Sequence, residues 1–131
     1  MKICFLDPSK LERVRAGINT DPEFKLAAKY ISTDVLLGVD DSECIFKVRE
    51  GVITEIKLDL TPLDAWHFSI RGSAESWGKF LQLPPPPSHN SLFGTMLRKT
   101  LRVEGDLEKA FAYFWAVSRM LDVMRQLQNN K

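Results

Sequence analysis

From Thr33 to Leu60 the chain alternates apolar and polar residues, and this constrains the fold more than any other feature. Thr33, Val35, Leu37 and Val39 share one parity before Asp40-Asp41-Ser42 punctuates the pattern. Cys44, Phe46 and Val48 then alternate against Lys47 and Arg49 as far as the turn at Glu50-Gly51. Beyond it, Thr54, Ile56, Leu58 and Leu60 oppose Glu55, Lys57 and Asp59. Successive strand side chains point to opposite faces, so this period predicts three strands, each with one buried and one wet face. Joined by tight turns, they form an antiparallel meander covered on one side. Gly51 can take the positive φ that such a turn often demands.

The flanking segments supply the cover. Leu11, Val14 and Ile18 sit at helical spacing among Lys10, Glu12, Arg13 and Arg15, which predicts an amphipathic helix over 9–17, starting near Pro8 and ending by Gly17 or Asn19. A second helix fits 21–30: Asp21 can cap it, Pro22 suits its first position, and Glu23 favours the N-terminal dipole. Phe24, Ala27, Ala28 and Ile31 give it an inward face. A fourth strand over 66–71 carries its aromatic and aliphatic residues on even positions. Gly72 ends it, and Ser73 caps a helix running to about Leu81. Pro84 to Pro87 impose an extended polyproline segment, 92–98 reads equally as strand or helical turn, and 100–103 reads as a fifth strand. Asp106 caps the longest helix, about 107–127, with Leu107, Ala110, Phe111, Phe114, Val117, Leu121 and Met124 at the 3.6 period. Trp115, Met120 and Val123 widen that stripe.

Composition narrows the function. A length of 131 residues predicts one domain over 1–131, and 18 basic against 17 acidic residues leave a net charge of +1. Nucleic-acid binding, which draws its affinity from a basic excess, is thereby disfavoured. No apolar run approaches the roughly 20 residues of a membrane span. Met1 to Leu6 is too short an apolar start for a signal peptide, so the expected compartment is the cytoplasm and Cys4 and Cys44 are expected as reduced, buried thiols. His67 and His89 have no second ligand at metal spacing, and no phosphate loop or nucleophile elbow is present, so no metal or cofactor is expected. Asp64, three residues before His67, could orient it as a base, although no nucleophile completes the set.

Three segments carry a resemblance: Phe46-Lys47-Val48-Arg49-Glu50-Gly51-Val52, then Phe68-Ser69-Ile70-Arg71-Gly72-Ser73-Ala74-Glu75-Ser76-Trp77, and Leu101-Arg102-Val103-Glu104-Gly105-Asp106-Leu107. In this order and spacing, over roughly residues 10–125, the chain resembles the sterol carrier protein family, the small sterol-binding domain. It departs from the family pattern at the tetraproline and at Arg98-Lys99-Thr100. The resemblance implies an α+β fold: a five-stranded sheet with helices packed on one face and an apolar tunnel between the layers. It also implies non-enzymatic, intracellular binding and transfer of a sterol, fatty acid or acyl-coenzyme A.

Residues 77–124 are rich in aromatics and methionine, which suit a lipid cavity. The expected lining is Trp77, Leu81, Phe93, Met96, Phe111, Phe114 and Trp115. The expected partners are a lipid or other apolar small molecule, with a partner enzyme or membrane surface as recipient, no nucleic acid, and a monomer or homodimer. Two alternatives stand beside this reading. One is an accessory or dimerisation module docking through its apolar helix face; the other is a small isomerase or hydratase using His67 and Asp64.

Overall fold

Left-handed backbone closes both turns of the meander. Asp40 lies between β1 (Thr33–Val39) and β2 (Ser42–Arg49), with Val39 opposite Ser42 and a φ of 52°. Glu50 and Gly51 join β2 to β3 (Val52–Lys57) with φ of 50° and 79°, the geometry that suits the twist of a two-residue hairpin. A Cβ on Gly51 would also stand 2.8 Å from the Ala28 carbonyl oxygen. The computed structural model describes residues 3–81 and 101–129. With β4 (Phe68–Gly72) and β5 (Leu101–Gly105), the sheet runs β3-β2-β1-β4-β5. All neighbouring pairs are antiparallel except β1 and β4, which are parallel.

The third strand departs from the alternation. Lys47 pairs with Glu55 but Val48 pairs with Ile53, so Thr54 is an extra residue, a β-bulge. The bulge reverses parity: Ile53 and Ile56 both meet the core, while Thr54 is exposed. The strand ends at Lys57, not Leu60. Asn19 closes its free edge, donating to the Ile53 carbonyl at 3.0 Å and accepting from its N–H at 2.8 Å.

Helices gather on one face. A 3-10 turn at Pro8–Lys10 leads into α1 (Leu11–Thr20). Asp21 then caps α2 (Pro22–Ala27), accepting from the Phe24 N–H at 2.8 Å, with Pro22 in the first turn as expected. α2 stops short of Tyr30, which turns out of the helix with a φ of 73°. Ser73 caps α3 (Ala74–Phe80) and Asp106 caps α4 (Leu107–Ala112). The long C-terminal helix is kinked: Tyr113 separates α4 from α5 (Phe114–Asn129), although Tyr113 N–H to Lys109 and Val117 N–H to Tyr113 carry the hydrogen bonding across. The inward faces of the strands, Val35, Leu37, Phe46 and Ile70 among them, meet these helices in one core. Trp77 anchors it, stacked edge-on against Phe5 and Phe80 and donating from Nε1 to the Gly38 carbonyl at 2.8 Å.

The opposite sheet face is not simply wet. Because β3 and β4 flank the β2–β1 pair, the chain must cross it, and residues 58–67 form a strap over the outward residues Leu36 and Ile45. Both are fully buried, which the expected single wet face did not allow. Trp66 belongs to this strap and does not share a face with Phe68 and Ile70.

Candidate ligand-binding site

The space between the layers narrows at the α4–α5 kink. On one side, Phe68 and Ile70 of β4 and Val103 of β5 face Ala110, Phe111 and Phe114 across an apolar crevice of about 10 Å³. On the other, Phe24, Ala28 and Ile31 beside α2 face Tyr113, Ala116 and Met120 across a second crevice of about 10 Å³. Val117 lines both. Each has about the room of one water molecule, and the first offers no polar side chain to hold one. Where a tunnel was expected, the described residues thus frame two narrow apolar crevices between the layers.

The expected lining separates accordingly. Phe111 and Phe114 line the first crevice, Phe111 with 56% of its surface exposed at the edge. Trp77 and Leu81 lie fully buried in the core beneath α3, outside both crevices. Trp115 is 78% exposed and packs edge-on against Phe114, because the inward face of α5 is set by Ala116, Val117, Met120 and Leu121. Phe93 and Met96 lie outside the described residues, as do the tetraproline and His89. The strand contribution was overlooked in the sequence; the even parity of Phe68 and Ile70 was the signal that could have supplied it.

Ion pairs fix the helices around this layer. Asp21 accepts Nε and Nη2 of Arg119 at 2.8 Å each while capping α2, so one carboxylate joins α2 to α5. The Arg119 guanidinium holds the Asp21 carboxyl below the usual carboxylate range. Further along α5, the buried Arg125 donates to the Phe80 carbonyl at 2.8 Å and lies over the Phe80 ring, tying α5 to α3. Burial pulls its pKa down.

His67 and Asp64 do not form a pair. His67 Nδ1 accepts from the Asp34 N–H at 3.0 Å and lies 3.1 Å from the Thr33 hydroxyl, bracing the start of β1 against β4. Asp64 instead accepts from Lys57 at 2.6 Å and from the Thr61 N–H at 2.7 Å, fastening the strap. The base-and-orienter arrangement is thus not assembled. Cys4 and Cys44 are free and buried. Burial pushes the Cys4 thiol up to about 11 and Cys44 higher still. Among the described residues no His, Cys, Asp and Glu cluster could hold a metal ion, and no helix is long and apolar enough to cross a membrane.

No family model and no curated protein sequence matches the chain. Its structure is similar to the crystal structure of a sterol carrier protein 2, with a TM-score of 0.73, 14% identity, and 88% of this chain and 92% of that chain covered. The solution structure of a conserved hypothetical protein from Thermus thermophilus gives a TM-score of 0.72 at 13% identity, covering 95% and 90%. The apo form of sterol carrier protein 2 from Yarrowia lipolytica gives 0.55 at 12% identity, covering 99% and 98%. The mixed sheet, the helices on one face and these full-length likenesses together establish a sterol carrier protein 2-like fold.

Proposed function

We propose that this protein binds a single hydrophobic ligand, of the sterol, fatty-acid or acyl-coenzyme A type, between its sheet and helices and hands it on in the cytoplasm without covalent chemistry. The observation that carries the reading is the all-apolar crevice between Phe68, Ile70 and Val103 of the sheet and Phe111 and Phe114 of the helices, at the point where the C-terminal helix is kinked. Burying a methylene is worth roughly 0.8 kcal/mol, so an acyl chain offers ample free energy to part α4 from the sheet. Phe111, Phe114 and Val117 would meet the ligand first, and Trp77 and Leu81 would close its deep end once the layers part. The fold likeness supports the same reading, because the solved structures that resemble the chain over its length include sterol carrier proteins.

Titration with an environment-sensitive fluorescent fatty acid tests it. One saturable site is expected, and delipidation with hydrophobic resin should lower the melting temperature until ligand is restored. Phe114→Asp should abolish binding, since a carboxylate in an apolar crevice is costly. No saturable signal up to high micromolar ligand would remove this reading. It would favour docking of the exposed Leu107, Phe111 and Trp115 against a partner protein instead.

A further inference from the structure

The strap leaves a cleft on the face of the sheet away from the helices. Its volume is about 340 Å³, within the range of small-molecule sites of roughly 300–1,000 Å³, whereas the crevices under the kink are far smaller. Leu36 and Ile45 form an apolar floor, Leu60 and Pro62 one wall, and Trp66 another. Two charged groups reach it from the sheet: Arg71 of β4 and Glu43 of β2. Arg71 lies 5.7 Å from the centroid of the Trp66 ring and is paired with Glu43, and its Nε stands 3.7 Å from Oε1 of Glu104. Asp64 closes the strap side through its bond to Lys57.

The charge balance decides what such a cleft accepts. Glu43, Asp64 and Glu104 set three carboxylates against the two cations Arg71 and Lys57, leaving one negative charge. The charge of Arg71 is already matched by the carboxylates of Glu43 and Glu104, which disfavours an added anion. Glu43 engages Arg71 through Oε2, and its Oε1 accepts no hydrogen bond among the described residues. An acceptor with spare capacity beside an aromatic wall and an aliphatic floor can hold the charged head and the apolar body of an organic ammonium. On the same face, the buried Ser69 hydroxyl, flanked in register by Leu36, also lacks a partner.

We infer that this cleft is a second binding site, separate from the layer under the helices, for a small organic ammonium with a compact apolar body. The ammonium donates to Glu43 Oε1, and the apolar body rests against Trp66 and on Leu36, Ile45 and Pro62. This site does not depend on the lipid reading, because the sheet itself separates the two.

Three probes with one phenyl ring test it: phenethylamine, phenylacetate and 2-phenylethanol, followed by amide chemical shifts in the full chain. Phenethylamine should give saturable shifts centred on Leu36, Glu43, Ile45, Trp66 and Arg71. The anion and the alcohol should bind at least tenfold more weakly, and Glu43→Gln should weaken phenethylamine at least tenfold. The inference fails if phenethylamine does not saturate by about 20 mM, where a millimolar site would be filled. It fails equally if phenylacetate binds as well, if the shifts centre on Phe68, Phe111 and Phe114, or if Glu43→Gln changes nothing.

Discussion

Two glycines in this chain should respond to the same substitution with opposite signs. Gly105 ends β5 with a φ of 98°, and a Cβ there would stand 2.8 Å from the His67 carbonyl oxygen and 2.8 Å from Cζ3 of Trp66. The first obstacle is backbone, held by the Asp106 N–H that donates to the same carbonyl at 2.8 Å, so it cannot step aside cheaply. A left-handed L-residue costs about 1–2 kcal/mol, and a disrupted hydrogen bond about 1 more. Gly105→Ala should therefore lose about 3 kcal/mol. At about 2.1 cal/mol/K of unfolding entropy per residue, 131 residues give about 275 cal/mol/K, so the melting temperature should fall by about 11 °C. Gly78, in α3, has nothing within 4 Å of an added Cβ. There alanine removes only unfolded-state freedom, and Gly78→Ala should gain about 1 kcal/mol, or about 4 °C. Circular dichroism melts and urea titrations of the two variants beside the parent measure both. A Gly105→Ala protein melting within about 3 °C of the parent would refute the account of how the strap, β4 and β5 meet.

The remaining predictions concern charge and thiols. Because Arg119 lowers the Asp21 carboxyl in the folded state, that pair contributes stability above the ordinary carboxyl pKa of 3.8 and loses it as pH falls through the lower folded value. Asp21→Asn keeps the helix cap but removes the charge, so it should cost about 1 kcal/mol at neutral pH and flatten the acid limb of a stability–pH curve. Native protein should leave a thiol-reactive dye unchanged, since burial keeps Cys4 and Cys44 protonated and shielded, and both should react once urea unfolds the chain. A rapid reaction in the native state would place one of them at the surface.

Local chemistry was legible wherever one residue decides one geometry. Asp21 with Pro22, Ser73 and Asp106 cap the helices they were expected to cap, and Asp40 and Glu50-Gly51 turn the strands where the pattern breaks. The errors lie where a distant contact overrides a short-range pattern. Thr54 fits an alternation as an inward residue, yet the bulge sends Ile53 inward in its place. Trp66 shares the parity of Phe68, yet it belongs to the strap, whose path follows from pairing between β1 and β4 that no local signal records. Trp115 is apolar and near the helical period, but the kink at Tyr113 and the bulk of α2 against Ala116 and Met120 settle which side of α5 turns inward. Of the candidate site, the helical half at Phe111 and Phe114 was read ahead of the structure, whereas the strand half was missed although the parity of Phe68 and Ile70 pointed to it.

The parallel seam between β1 and β4 has a kinetic consequence. Hairpins close within microseconds because their partners are neighbours in sequence, and the β1–β2–β3 meander consists of two of them. The seam joins residues as distant as Asp34 and His67, 33 positions apart, so it closes a longer loop than either hairpin and is expected to form after them. Mutations at Leu37 or Phe46 should therefore slow folding, whereas mutations at Val103 or Leu101, on the strand that docks beyond the seam, should mainly hasten unfolding. The wall of the candidate ligand layer supplied by β4 and β5 is thus expected to be the last part of the sheet to assemble, and its transient detachment would uncover the space beneath Val117.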